Sequence, residues 1–321
     1  MNSKLLEGRS VKFRQSLPLI ILSAILVVMV VVFEMIVPGF VTSGAHFISL
    51  TRLAAFVGMC AIGQTLVVLQ GGIDMSISSL IMLTNVVASQ VVNLSMANVP
   101  KAILILLVIC LVTGFVNGAI IHYLRIPALV ATLSTGAILQ GFAYIYTGGI
   151  PNGGMPNQII AFVLNGLFGF INGPVVLWIL FSIITIIALK KTRFGRGVYA
   201  IGSNRIAAAN SGIKVGKITI ASYMISSLRA GIVGFLFVGY TRIGYLNNGS
   251  TYAMDSLTAV VMGGTLVTGG KGGYGGTIVG LLIYICLDSF SKMLGLDEGL
   301  RRIIQGIIII VLLLSVNRDK N

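Results

Sequence analysis

Long apolar runs separated by short polar intervals repeat along the whole chain. The first is Leu17–Val37. It is followed by Phe47–Leu69, Ser78–Leu94, Ala102–Ile121, a run opened by Pro127, Val175–Leu189, Ile218–Tyr240, Met254–Val267, Thr277–Leu294 and Ile303–Val316. About 20 apolar residues make a helix long enough to cross the hydrocarbon core of a bilayer. The pattern therefore predicts an all-α polytopic membrane protein of about ten transmembrane helices. A short N-terminal segment (1–16) precedes a single transmembrane domain (17–316), and a short tail (317–321) follows it. The first run is too long for the apolar region of a signal peptide and more spans follow, so it is expected to stay as a span. Met254–Val267 is short for a span, and the apolar piece Ile159–Phe170 is too short to cross.

Two of the polar interruptions are rich in glycine. Gly71–Ser79 reads GGIDMSISS, and Gly263–Gly276 reads GGTLVTGGKGGYGG. Non-helical backbone at membrane depth is tolerated only where it is buried in protein or lines a cavity, so broken or re-entrant segments are expected at both places. Asp74 can cap a helix start there. Gly114 and Gly118 form a GxxxG close-packing pattern, and Gly272, Gly276 and Gly280, spaced by four, are expected to stripe one helix face. Glu34, near the far end of the first run, is expected to be solvated, and Arg52 to snorkel to a surface.

Charge adds a direction. Only 9% of residues are charged, against 56% hydrophobic, and the net charge is +14. A basic balance of this size can signal nucleic acid, but here the bases cluster in short inter-span loops, as the positive-inside rule requires. With ten spans and the N-terminus inside, 15 of the 22 bases fall on inner segments and 5 on outer ones. Both termini and the interval Lys190–Lys217 are thereby predicted to be cytoplasmic. That interval carries seven bases and no acid. Within it Ser203 can cap a helix over Asn204–Ser211, propagated by Ala207, Ala208 and Ala209 and ended by a left-handed Gly212. Ile206, Ala209 and Ile213 would form its apolar stripe. A two-turn helix with small side chains suits a groove on a cytosolic protein. A basic loop resting on anionic lipid is the plainer alternative.

Other chemistries are rejected. Gly270–Gly275 matches GxGxxG but lies between spans, without the strand and helix that a dinucleotide site needs. The same region fails the P-loop pattern, because Thr265 stands for the first glycine and Gly272 for the Ser/Thr. His46 and His122 fall at opposite membrane faces. Asp74, Asp255 and Asp288 lie in separate spans or span ends. No catalytic constellation, metal site or resident cofactor is expected. The three cysteines, Cys60, Cys110 and Cys286, all within apolar runs, are expected to pack. Arg229, in mid-span, is either a pathway cation or, the preferred reading, a structural partner for one of those aspartates.

The segments Gly71–Ser79, Ile126–Thr135 (IPALVATLST), Thr192–Ile213 (TRFGRGVYAIGSNRIAAANSGI) and Ala259–Gly280 (AVVMGGTLVTGGKGGYGGTIVG) together resemble the membrane permeases of ribose-type sugar ABC importers. The resemblance runs through essentially the whole chain. It implies a ten-span subunit of the bacterial inner membrane, paired with an identical or paralogous copy. Two cytosolic ATPase subunits would use ATP and Mg, and a periplasmic or lipid-anchored binding protein would deliver the sugar. The segment matching Ser203–Gly212 (Ser203, Asn204, Arg205, Ile206, Ala207, Ala208, Ala209, Ser211, Gly212) would be the coupling helix seated on the ATPase. The glycine-rich segments, with Gly71, Gly72, Asp74, Ser76, Gly263 and Gly264, would lie near the translocation route. For a neutral sugar the polar side chains Gln70, Asn85, Thr132 and Ser134 are candidates to line it. Nucleosides and branched-chain amino acids are alternative solutes, and a secondary carrier or channel an alternative class. The sequence departs from the family pattern at Ser78, Met254 and Arg229.

Overall fold

A computed structural model describes residues 2–167, 171–247, 249–304 and 306–307. Twelve α-helices are bounded in it, with a 3-10 turn at Met96–Asn98 before the fourth. They are α1 (Asn2–Ile36), α2 (Gly44–Val68), α3 (Ser76–Val92), α4 (Val99–Tyr123), α5 (Ala128–Thr147), α6 (Asn157–Leu164), α7 (Gly173–Lys191), α8 (Arg193–Ser203), α9 (Arg205–Asn210), α10 (Val215–Thr241), α11 (Tyr252–Met262) and α12 (Tyr274–Met293). Residues 298–304 are helical again. The only strands among the described residues are β1 (Gly166–Leu167) and β2 (Ile171–Asn172), an antiparallel pair between α6 and α7. The fold is that of an all-α polytopic membrane protein.

Among the described residues seven helices are long and apolar enough to cross a membrane: the stretch Leu19–Ile36 of α1, then α2, α4, α5, α7, α10 and α12. The other expected spans differ. α3 has 17 residues, about 25 Å at 1.5 Å per residue, and α11 has 11, about 16 Å. The expected span Met254–Val267 is thus helical only as far as Met262, because Gly263 and Gly264 end it. The expected span Ile303–Val316 lies mostly outside the described residues. The N-terminal segment is not separate from the first span: α1 runs through from Asn2.

α10 forms the middle of the bundle and packs on α2, α3 and α4. Small residues allow it to. A Cβ on Gly114 or Gly118 of α4 would strike the backbone of Met224 or Ile220, so the GxxxG face is a real close contact. Gly63 meets Ser226, Gly231 meets Cys110 and Gly234 meets Thr84 in the same way. The expected glycine stripe on α12 holds for Gly276 and Gly280, which abut Gly263. It fails for Gly272, which lies outside the helix with φ +113° and packs on Thr265. All three cysteines are free and buried, as expected. α1 stands at the margin, touching α12 through a stack of Phe33 on Phe290 at 3.9 Å.

The turns sort to two ends. At one end the segment 69–75, the turn 124–127, α8, α9 and the loop 263–273 gather. At the other, Leu94 N donates to Gly154 O, Met155 N donates to Arg242 O, and His46 meets Ser289. His46 and His122 therefore do lie at opposite ends. Glu34 is not merely solvated. Its carboxylate accepts from Gly39 N, Val41 N and Thr42 Oγ1, and so holds the α1–α2 turn. Arg52 reaches Leu164 O and lies over the Tyr240 ring, 5.0 Å from its centroid.

Candidate functional site

The two glycine-rich breaks meet each other. α2 unwinds after Val68, and Gly71 and Gly72 fold their N–H groups back onto Val68 O and Val67 O. This leaves Leu69 O to accept from Gly270 N at 2.9 Å, across 200 residues of chain. Gly270 has φ +76°, a conformation that glycine adopts without steric cost. The end of α8 closes the junction. A Cβ on Gly202 would run into both Leu69 O and Gly270 N, the two atoms of that bond. One turn earlier, Tyr199 donates its hydroxyl to Gly272 O at 3.0 Å. α8 thus lies across both breaks at once.

α9 follows directly and is anchored lightly. Its cap is Asn204, one residue later than expected: Asn204 Oδ1 accepts from Ile206 N at 3.0 Å and Ala207 N at 2.9 Å. Ser203 instead donates to Tyr199 O as the last residue of α8. Gly212 ends the turn at φ +79°, as expected. The inward residue is Ala208, packed with Ile201 and Val215. The expected stripe divides. Ile213 packs inward, while Ile206 (75% exposed) and Ala209 face out with Ala207, Ser211 and Gly212. Arg205 Nη2 lies 2.9 Å from His122 Nδ1 and ties α9 to the end of α4.

Between these parts opens a cavity of about 840 Å³, lined by Gln70, Gly71, Gly72, His122, Arg125 and Arg205 among others. Of the residues expected on a route, Gln70, Gly71 and Gly72 reach it. Gln70 is also tied to the wall, donating to Ser222 Oγ and accepting from Thr219 Oγ1. The others are placed elsewhere. Asp74 is fully buried; its Oδ1 takes Ser76 N and Ser76 Oγ, and its Oδ2 takes Ser226 Oγ at 2.7 Å. Asn117 donates to Ser76 Oγ and accepts from Thr135 Oγ1. Thr132 accepts from Met75 N and so fixes the residue before α3. Asn85 accepts from Tyr245 N at 2.8 Å and donates to Gly234 O, toward the other end. Ser134 faces outward on α5 and bonds only Val130 O of its own helix. Gly263 is a packing contact with Gly276, and Gly264, at φ +80°, has open space beside it.

Arg229 pairs with no aspartate among the described residues. Its guanidinium lies 3.5 Å from the Phe181 ring centroid, and Nε has no acceptor among the described residues. The aspartates are engaged elsewhere: Asp255 with Thr251 and Tyr284, Asp288 with Lys292 and Arg301. These two line a smaller cavity of about 280 Å³ at the opposite end. Three buried polar groups without hydrogen-bond partners among the described residues were not foreseen: Gln64, Tyr223 and Ser227. Gln64 is an amide amid an apolar run, and that was the available signal for it. No group of His, Cys, Asp and Glu among the described residues is placed to hold a metal.

Membrane-length helices with two breaks joined beneath a short helical loop make a polytopic carrier-type bundle. Comparison with known proteins gives the family. Residues 46–313 match the family described as branched-chain amino acid transport system, permease component, and the chain belongs to it. It is 33% identical over 299 residues to the ribose import permease protein RbsC of Escherichia coli K12, covering 92% of each chain. It is 31% identical over 297 residues to the RbsC of Bacillus subtilis 168, covering 92% of this chain and 91% of that one. The autoinducer 2 import system permease LsrC of Escherichia coli O9:H4 is 29% identical over 298 residues, covering 90% of this chain and 85% of that one. No solved structure matches the chain.

Proposed function

We propose that the chain is the transmembrane permease of an ATP-driven ABC importer that moves a small sugar or sugar-like solute into the cytoplasm of a bacterium by alternating access. The family description names branched-chain amino acids, whereas the relatives that align over nine-tenths of the chain are named for ribose and autoinducer 2. The alignments over the whole length favour the sugar-like class. Branched-chain amino acids are the second reading, carried by the family description alone. On this proposal ATP and Mg are used by cytosolic ATPase subunits, a second permease copy or paralogue completes the route, and an external binding protein delivers the solute. Both termini and α8–α9 face the cytoplasm, as the concentration of bases in 190–217 favours.

The observation that carries the proposal is the Gly202 junction. α9 exposes Ala207, with Ile206 and Ala209 exposed where they border the loop-end cavity, and α8 behind it touches both broken segments. A push or pull on α9 is delivered by α8 to Leu69 and Gly270 together. In transporters built with broken helices the breaks border the solute site, and access alternates largely by rocking of the packed bodies around it. The loop-end cavity beside Gln70–Gly72 borders the same junction.

The test is ATP-dependent uptake in proteoliposomes containing the ATPase partner and the binding protein, with ribose, leucine and autoinducer 2 compared. Ala207→Trp places a bulky ring on the outward face of α9. It is expected to abolish uptake while leaving the melting temperature of the permease unchanged. Uptake that continues without any ATPase, driven by an ion gradient, would overturn the importer reading.

A further inference from the structure

The loop-end cavity has a chemistry that a neutral solute does not require. Its lining includes Arg125, Arg205 and His122 and no carboxylate. Deeper in the same wall stands Tyr223, 2% exposed, whose hydroxyl has no hydrogen-bond partner among the described residues. That hydroxyl lies against Gly72, another lining residue. A buried hydroxyl left unpaired costs free energy, and Tyr223 is itself among the residues that line the cavity. Asp74 is the nearest acid behind this wall, but both of its oxygens are taken by Ser76 and Ser226.

We propose that this cavity binds a phosphate-type anion between Arg125, Arg205 and the Tyr223 hydroxyl. A guanidinium offers a planar fork of N–H donors that matches two oxygens of a phosphate, and the hydroxyl supplies a further donor. His122 prepares Arg205 for this. While its Nδ1 accepts from Arg205 Nη2 the ring is neutral, so it orients the guanidinium without adding a competing acceptor on the cavity side. The remaining N–H groups of Arg205, and all those of Arg125, have no partner among the described residues. The volume of about 840 Å³ accommodates a phosphate together with whatever is esterified to it. Tyr123 and Leu124, 68% and 66% exposed, flank Arg125 with apolar surface at the end of α4, so a lipid phosphate can reach the site as readily as a soluble one. The site adjoins α9, and its occupant would hold α9 against α4 and α5. The inference does not depend on which solute crosses.

Binding of inorganic phosphate to the purified chain in a neutral detergent, at constant ionic strength and against chloride, tests it. Saturable phosphate binding is expected. Arg125→Gln, which removes a side chain that makes no internal hydrogen bond, is expected to weaken it by roughly tenfold, and Arg125→Gln with Arg205→Gln by more, given that bonds to charged groups are worth about 1.5–3 kcal/mol. Tyr223→Phe is expected to weaken it several-fold, and Lys190→Gln with Lys191→Gln to leave it unchanged. A parallel arm reconstitutes the chain in phosphatidylglycerol or in phosphatidylcholine vesicles and counts retained lipid by native mass spectrometry. Retention of phosphatidylglycerol that is lost in the arginine variants, without binding of free phosphate, assigns the site to a lipid. Saturable free phosphate assigns it to a soluble ion or ester. If neither binds, or if the arginine variants bind as the native chain does, the inference fails. It also fails if neither binds and reversing the two arginines to glutamate releases the ATPase subunit, because the cavity then seats a carboxylate of that partner.

Discussion

Gly202→Ala is the sharpest probe of the junction between the loop and the two breaks. In an exposed helix the exchange is favourable, because alanine raises helix stability by about 1 kcal/mol over glycine. At Gly202 the new methyl would meet Leu69 O and Gly270 N, which are bonded to each other at 2.9 Å. Both are backbone atoms, so no side chain can rotate away, and either α8 or one of the breaks must move. Overpacking of this kind costs about 1–3 kcal/mol, and the loss of the bond costs roughly 1 kcal/mol more. After the propensity gain the variant is expected to be about 1–3 kcal/mol less stable. Gly141→Ala on α5 is the control: nothing lies within 4 Å of the new methyl, so it is expected to stabilise by about 0.5–1 kcal/mol. The two variants thus differ in sign. Thermal unfolding in detergent reads stability, and ATP-driven uptake reads coupling, which is expected to fall about tenfold if the strain biases the two access states by about 1.4 kcal/mol. Should Gly202→Ala melt at or above the native temperature and transport at the native rate, the junction carries no load and the reasoning is wrong.

Substitutions at two further positions test the buried polar groups. Asp74→Ala strips the acceptor from Ser76 N, Ser76 Oγ and Ser226 Oγ at a site with no solvent, and is expected to lower stability by about 3–5 kcal/mol, seen as poor yield or a large drop in melting temperature. Asp74→Asn keeps an acceptor for Ser76 and is expected to lose less than half of that; equal losses would show that charge, not hydrogen bonding, is what the site needs. Arg229→Met exchanges a cation that has no acceptor at Nε among the described residues and lies on the Phe181 ring for an apolar chain of similar length. Its melting temperature is expected to match or exceed the native value, and uptake to be retained; lost uptake with unchanged melting would make Arg229 part of the route.

Much of the fold was legible because a bilayer requires long apolar runs, and the seven membrane-length helices follow those runs closely. What was not legible depends on contacts far apart in sequence. α8 was missed because Gly195, Gly197 and Gly202 argue against a helix and its bases read as topology. Its signals were present: Thr192 as a cap accepting from Gly195 N, and Phe194, Val198 and Ile201 recurring on one face. Ser203 and Asn204 are both good caps by type. Only the direction of each side chain decides for Asn204. Arg229 was expected to find an acid because a mid-span charge usually pairs. Phe181 takes that place on a neighbouring helix, and no spacing in the sequence announces it.

Several polar side chains in the spans, Asp74, Asn85 and Thr132 of the expected route among them, accept N–H groups of broken backbone. Thr132 accepts the N–H of Met75, which a continuous helix would have satisfied, and Asp74 does the same for Ser76. Asn85 serves Tyr245, Ser89 serves Gly244, and Thr265 serves Gly273. A hydrogen bond already given to the fold is not free for a solute, since each is worth about 1 kcal/mol net and leaving the backbone group unpaired costs more. Polar residues in these spans therefore fall into two sets by their bonds rather than by their type. Those that carry the breaks set where the helices can stop. Those with no partner among the described residues, Gln64 in α2 and Ser227 and Tyr223 in α10, still have bonds to give. Gln64 and Ser227 lie on two helices that pack together at the centre of the bundle, at Gly63 and Ser226. An alternating-access bundle must re-pair such groups in its other state or offer them to the solute. Gln64→Leu separates the possibilities: a purely structural amide gains stability and keeps uptake, whereas one used in transport gains stability and loses it.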